Sequence, residues 1–219
     1  MRAVIFVNGE LEDAQQAAAL IKPHDYLIAA DGGLRHMRAM GLMPRLLVGD
    51  LDSVSAEEIL QVEQSGGEIL RFQQDKDFTD LELAVRAARQ RGCDHILLVA
   101  ALGGRLDQML ANISLLTQHD LAGLRIELDD GRTQVYLVRD SLQFKGQAGD
   151  TVSLLPWGLP ARGVVTFGLK YPLKAETLLP GDTRGISNRM LGESAGVELQ
   201  KGLLMCVRIR QLEAPKLEE

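Results

Sequence analysis

The chain has 219 residues, 46% of them hydrophobic and 25% charged, with a net charge of -6. That balance describes a folded globular protein with room for one large domain or two small ones, and it excludes disordered, fibrous and disulfide-stapled classes. The negative charge argues against a general nucleic-acid binder, no apolar run reaches membrane-span length, the 1–7 segment is too short for a secretory signal, and Cys93 and Cys206 read as buried thiols of a reducing cytoplasm.

Short apolar runs recur along the first half, each followed by a glycine-bearing loop and then by residues of helical period, the rhythm of βαβ units. Strands are expected at 3–7, 26–30, 46–48, 68–72 and 95–102. The last is almost wholly apolar, as a strand buried on both faces of a parallel sheet should be. Two helix starts carry the S/T-x-x-E capping form, Ser55 to Glu58 and Thr79 to Glu82. The second leads into the apolar stripe Leu81, Ala84, Val85 and Ala88 and ends near Gly92, and a third helix is expected from Leu106 through Leu116. After about Leu124 short alternating stretches replace the helical period. Strands at 124–128, 133–138, 141–144, 151–155, 163–167, 196–199 and 203–209 are spaced as in a sandwich or barrel, although the first also fits the α/β sheet. The boundary is placed at Asp129-Asp130-Gly131, giving an α/β part over 1–130 and an all-β part over 131–219, with 213–219 as a frayed tail.

In an open parallel sheet the ligand crevice lies beyond the carboxyl ends of the strands. Polar loops follow all five expected strands: Asn8-Gly9; Asp31-Gly32-Gly33; Gly49-Asp50-Leu51-Asp52-Ser53; Asp75-Lys76-Asp77-Phe78-Thr79-Asp80; and Gly103-Gly104-Arg105-Leu106-Asp107. All should face one cleft. If the third strand continues through Asp50 and Asp52, their carboxylates point the same way and can share a hard cation. An Asx-type turn leading to the Ser55 cap is the other reading. The calcium-loop spacing is missing, and Mg²⁺, which needs only one or two carboxylates plus phosphate oxygens and water, fits better. Asp75, Asp77 and Asp80 repel one another unless a cation or positive ligand sits among them, or unless they form a solvated surface run. Asp80, in the first turn of a helix, is steadied by the helix dipole and projects toward Asp50, which makes Lys76 a phosphate contact. Gly103-Gly104-Arg105 joins a buried strand to a helix start, where free N–H groups favour an anion and Arg105 adds a bidentate clamp. Neither a Walker A loop nor a G-x-G-x-x-G fingerprint occurs.

Taken in order, Asp31-Gly32-Gly33, Gly49 to Ser53, Asp75 to Glu82, Gly103 to Gln108 with Asn112, Gly168-Leu169-Lys170-Tyr171-Pro172-Leu173 and Gly185-Ile186-Ser187-Asn188 closely resemble the thiamine pyrophosphokinase family over nearly the whole chain. The resemblance implies a Rossmann-like parallel sheet with flanking helices followed by a C-terminal β-sandwich. It implies transfer of a diphosphoryl group from ATP to the hydroxyl of thiamine, giving thiamine diphosphate and AMP. On this basis Asp50, Asp52 and Asp80 match the magnesium ligands, with Asp31 and Asp77 in support. Lys76 and Arg105 would contact phosphates, and Asp31, Gly32, Gly33, Asp75, Asp77, Thr79, Gly103, Gly104, Asp107, Gln108 and Asn112 would form the ATP site. Ser187 and Asn188 match the thiamine site, and the family's homodimer holds the vitamin between one subunit's α/β part and its partner's β part. Two departures stand out: Arg189 follows Asn188 where many bacterial members carry an acidic residue, and no tryptophan follows as in animal members. The single tryptophan, Trp157, sits in an expected loop.

Two other function classes are kept open. Asp50-Leu51-Asp52-Ser53-Val54 also matches the D-x-D-x-[TV] start of haloacid-dehalogenase-type phosphatases, with Asp50 as nucleophile, but lacks a downstream G-D-x-x-x-D. A pterin-type pyrophosphokinase is a related possibility. A non-catalytic nucleotide or thiamine sensor would use the same cleft but has no need of so many clustered carboxylates.

Overall fold

The computed structural model describes residues 1–75 and 77–211. Lys76 and the 213–219 tail therefore lie outside the described residues. The chain divides into two compact units, Met1–Gly131 and Arg132–Glu219. Among the described residues no helix is long and apolar enough to cross a membrane.

The first unit holds six strands, β1 (Arg2–Phe6), β2 (Tyr26–Ala30), β3 (Leu46–Gly49), β4 (Glu68–Arg71), β5 (His95–Val99) and β6 (Arg125–Asp129), all parallel in the order β6-β5-β1-β2-β3-β4. From β1 the chain moves outward to β4, crosses back to β5 beside β1, and continues to β6 on the other side. β1 and β5 thus flank the point where the winding reverses, which is where a doubly wound sheet opens a crevice. The 124–128 segment belongs to this sheet as β6, paired parallel with β5.

Among the described residues five α-helices accompany the sheet: α1 (Ala14–Ala18), α2 (Leu34–Ala39), α3 (Ala56–Gln64), α4 (Asp80–Gln90) and α5 (Leu106–Leu115). The core packs Val4, Phe6, Ala29, Leu47, Leu97 and Val99 of the strands against Ala17, Leu34, Met37 and Val62 of the helices. At about 1.5–3 kcal/mol per fully buried large side chain, that packing is what fixes the loops at the strand ends. Ser55 closes a full capping box with Glu58. Thr79 accepts from the Glu82 N–H, but the Glu82 carboxylate turns away to Arg86 at 2.8 Å, so this cap is half a box. The expected stripe Leu81, Ala84, Val85 and Ala88 is the buried face of α4.

The second unit contains β7 (Thr133–Val138), β8 (Ser141–Lys145), β9 (Thr151–Pro156), β10 (Ala161–Phe167), β11 (Lys174–Leu178), β12 (Asn188–Arg189), β13 (Ser194–Glu198) and β14 (Leu204–Ile209). They form two antiparallel sets, β12-β9-β14-β7 and β11-β10-β13-β8. One core lies between them, with Tyr136, Val152, Leu154 and Cys206 facing Phe144, Val164, Ala195 and Val197, and the Tyr136 and Phe144 rings stacked at 6.3 Å. This is the expected β-sandwich. Two strands were not expected. β11 carries Lys174, Glu176 and Thr177 with only Leu178 fully buried, so its apolar signal is weak, and β12 is two residues long.

Candidate functional site

Beyond the carboxyl ends of β1 to β5 lies a cleft of about 780 Å³. Every strand-end loop singled out in the sequence contributes to it: Val7 to Glu10 after β1, Asp31 after β2, Asp50 after β3, Gln74 and Phe78 to Leu81 after β4, and Gly103 to Arg105 after β5. Gln108 and Asn112 of α5 and Arg35 of α2 complete the wall. Close backbone approach explains two of the glycines. A Cβ on Gly33 would sit 2.0 Å from the Phe6 carbonyl oxygen, and one on Gly103 would sit 2.3 Å from that of Glu10.

The backbone at these ends is strained in a repeated way. Asp31, Leu51 and Ala100, which follow β2, β3 and β5, have φ of 45°, 65° and 57°, a left-handed conformation uncommon outside glycine. At Ala100 this turn ends the strand at Val99, three residues short of the expected 95–102. At Leu51 it corrects the expected geometry of the aspartate pair: the strand does not run on through Asp50 and Asp52. Leu51 is buried instead, and the turn carries both flanking aspartates outward. The Asp52 N–H donates to Asp50 Oδ1 at 3.2 Å, so the Asx turn and the convergent carboxylates exist together.

One carboxylate oxygen each from Asp31, Asp50 and Asp52 can lie within 4.8 Å of one another. Asp52 also accepts from Gln74 Nε2 at 3.0 Å and from Ser53 Oγ at 3.1 Å. Asp80, expected as the third ligand, approaches the same point from α4: a Cβ built on Gly49 would meet Asp80 Oδ1 at 3.2 Å and Asp31 Cβ at 3.0 Å. Gly49, at φ 152°, thus leaves room for both carboxylates. Asp31 is 9% exposed, and its Oδ1 has no hydrogen-bond partner among the described residues. A buried carboxylate oxygen without a partner, set among other carboxylates, fits a hard cation. The donor set, all oxygen, suits Mg²⁺ better than a softer metal.

The remaining expected residues divide. Gly103, Gly104, Arg105, Thr79, Gln108 and Asn112 line the cleft, whereas Gly32, Gly33 and Asp107 do not, and Asp75 and Asp77 are exposed beside it. Asp107 grips Arg105 through two contacts, 3.2 Å and 2.6 Å, which raises the arginine pKa and lowers that of the aspartate. Asp107 therefore holds the Arg105 side chain at the start of α5. Asn112 is buried and donates to the Ala101 carbonyl at 3.0 Å, pinning α5 to the end of β5. Sequence reading missed Arg35, Gln74 and Glu10. Arg35 stands in the first turn of α2 directly after Asp31-Gly32-Gly33, and that placement was the available signal. Its NH2 donates to the carbonyls of Asn8 at 3.2 Å and Gly9 at 3.0 Å, and His36 Nε2 lies 2.8 Å from the same Gly9 oxygen. Burial depresses the His36 pKa.

In the second unit Ser187 has φ 59° and its N–H donates to Ser153 Oγ at 3.1 Å. The Asn188 side chain is engaged with backbone: Oδ1 accepts from the N–H groups of Tyr171 at 3.0 Å and Arg189 at 2.9 Å, and Nδ2 donates to the Tyr171 carbonyl at 2.7 Å. Asn188 thus braces the Gly168–Leu173 loop against β12, and Tyr171 is 53% exposed. Trp157 follows β9 in a loop, as expected.

The model of the thiamin pyrophosphokinase catalytic domain matches residues 17–128, and that of the thiamin pyrophosphokinase vitamin B1 binding domain matches residues 140–204. Thiamine pyrophosphokinase of Bacillus subtilis is 28% identical over 187 residues, spanning 84% of this chain and 87% of that protein. Thiamine pyrophosphokinase 1 of Oryza sativa is 26% identical over 182 residues, 78% of this chain and 68% of that one. The crystal structure of the Bacillus subtilis enzyme superposes with a TM-score of 0.85 at 25% identity, covering 97% of this chain and 100% of that one. With both halves matched in the order the fold requires, and with Asp31, Asp50, Asp80, Gly103 and Gly104 of the cleft inside the first match, the chain belongs to the thiamin pyrophosphokinase family.

Proposed function

We propose that this protein transfers a diphosphoryl group from ATP to the hydroxyl of thiamine, releasing AMP and thiamine diphosphate, with Mg²⁺ as the metal. The observation that carries the reading is the carboxylate set of Asp31, Asp50 and Asp52, of which Asp31 and Asp50, together with Asp80, line the same cleft as the Gly103–Arg105 turn. Mg²⁺ bound there would neutralise phosphate charge and help polarise the phosphorus under attack. The chain's own groups handle position. Backbone N–H groups at the start of α5 and the Arg105 guanidinium, preset by Asp107, favour phosphate oxygens. Phe78 lines the cleft with its ring under the Arg86 guanidinium at 4.5 Å. Lys76 is carried as a further phosphate contact. Asp75, Asp77, Gly32 and Gly33 act from outside the cleft lining, the glycines by allowing the tight turn that presents Asp31.

The thiamine side is assigned to the second unit, around Ser187 and the loop that Asn188 braces. A homodimer with the vitamin at the subunit interface is part of the proposal, as is a cytoplasmic location, for which the two free, buried cysteines are the support. The family assignment favours neither the phosphatase, the pterin-type enzyme nor the sensor. The deciding assay incubates the protein with Mg²⁺, ATP and thiamine and follows AMP together with thiamine diphosphate. Inorganic phosphate without AMP would point to a phosphatase, and ligand binding without turnover to a sensor; either result overturns the proposal.

A further inference from the structure

The 780 Å³ cleft has a neighbour, a cavity of about 270 Å³ lined in part by Gly32, Ser53, Val54 and Glu58. Asn8 and Arg35 belong to the walls of both. Arg35 is exposed and stands on α2 immediately after the turn that presents Asp31. Its NH2 donates only to neutral acceptors, the carbonyls of Asn8 and Gly9, and its Nε lies 3.4 Å from His36 Nε2. Among the described residues it has no carboxylate partner. Arg105, the other arginine of the cleft wall, is held by Asp107. The remaining ionised groups on that wall are Glu10, Asp31, Asp50 and Asp80, all negative. The described cleft thus contains one guanidinium whose charge no side chain neutralises, placed next to a carboxylate cluster and resting on carbonyls that any anion would outcompete as acceptors.

We infer that Arg35 is a substrate-binding residue of the reaction, a clamp on the polyphosphate chain of the nucleotide, holding it against the Asn8–Gly9 wall. This rests on the nucleotide reading of the cleft. The guanidinium suits the task because its planar fork grips two phosphate oxygens at once, and its present bonds to carbonyls hold it in the cleft before the nucleotide arrives. Arg35, on α2 after β2, and Arg105, at the start of α5 after β5, then grip the chain together, so the phosphates are fixed in direction as well as in charge.

Three variants measured by calorimetry with MgATP and with adenosine decide the matter. Arg35→Gln keeps a neutral donor for the Asn8 and Gly9 carbonyls and loses the charge, Arg35→Lys keeps the charge and loses the fork, and Arg35→Ala loses both. Affinity for MgATP should fall about 10- to 100-fold in Arg35→Gln and Arg35→Ala, and less in Arg35→Lys, as expected for loss of a charge-assisted contact. Adenosine, which has no phosphate, should bind all four proteins alike. If Arg35→Gln binds MgATP as the parent does, or if adenosine binding falls in parallel, Arg35 is only a brace for the loop and the inference is overturned while the nucleotide reading stands. A parent that binds neither ligand overturns both.

Discussion

Asp31→Asn separates the demands of fold and function at the metal cluster. In the parent, carboxylate oxygens of Asp31, Asp50 and Asp52 come within 4.8 Å of one another. At that distance two unit charges repel by about 0.9 kcal/mol at the dielectric of water and about 3.5 kcal/mol at an effective value of 20. Asp52 is exposed and Asp50 partly so, which places each pair toward the lower figure. The substitution would remove two such pairs, and the new side-chain amide would donate where Asp31 Oδ1 now has no partner among the described residues. The backbone tolerates the change, since Asp31 has φ 45° and asparagine visits that region readily. The metal-free variant should therefore be more stable than the parent by about 1–3 kcal/mol, or roughly 2–4 °C in Tm per kcal/mol for a chain of this size. Magnesium should reverse the order: at a hundred times its Kd it stabilises the parent by about 2.7 kcal/mol and the variant by far less. Thermal unfolding in EDTA and in MgCl₂, without nucleotide, reads both effects. A variant less stable than the parent in EDTA, or one with the parent's full magnesium shift, would refute the electrostatic account of the cluster.

In the second unit, Asp150 is fully buried against Arg208, with contacts of 2.7 Å and 2.6 Å, and Gln134 holds the guanidinium at 3.1 Å. Asp150→Asn should cost about 3–5 kcal/mol in urea unfolding because it strands the buried guanidinium; a loss under about 1 kcal/mol would contradict this. Burial alone would push the Asp150 pKa up, but the Gln211 N–H, Arg208 and the Gln147 N–H hold it below 3.8, so its contribution is present above pH 3.8 and lost as pH falls through the folded value. His36 behaves analogously in a higher range: burial holds its pKa below 6.5, so the stability it contributes is full above pH 6.5 and falls away toward the folded pKa. His36→Gln, which keeps a donor for the Gly9 carbonyl, should flatten the stability profile below pH 6.5, and an unchanged profile would remove His36 as its source. Asn188→Ala should lower stability by about 1–3 kcal/mol through the unpaired Tyr171 backbone, whereas unchanged stability with a raised KM for thiamine would make Asn188 a direct ligand.

The α/β unit was legible because its signals are local and redundant. Short apolar runs followed by glycine-bearing loops, the Ser55 capping box and the Leu81–Ala88 stripe each specify an element without help from the rest of the chain. The short helices α1 and α2, of five and six residues, have too few turns to show a period and are held by packing of Ala17, Leu34 and Met37. β11 and β12 were missed for the same kind of reason, since pairing with β10 and β9 creates them and their own sequences do not.

The cleft was legible in outline, and the way it departs from that outline has one physical cause. Spacing arguments treat a strand end as a straight continuation, so Asp50 and Asp52 were expected to converge by alternation. In the structure the chain leaves β2, β3 and β5 through left-handed residues that are not glycine, a conformation that the residue types of Leu51 and Ala100 do not announce. Those turns bring Asp31 into the tight carboxylate set and end β5 before Ala100. They also explain why residues of similar appearance part ways. Asp107 and Asn112 belong to a helix whose first turn is already fixed, and their polar atoms satisfy Arg105 and Ala101, as Asn188 satisfies Tyr171. Asp31 sits on a turn that no donor among the described residues completes, and its unsatisfied oxygen is the feature that distinguishes a ligand-facing group from a polar residue doing structural duty. By the same test Arg35, whose charge meets only neutral acceptors among the described residues, belongs with Asp31 in the proposed machinery of the cleft.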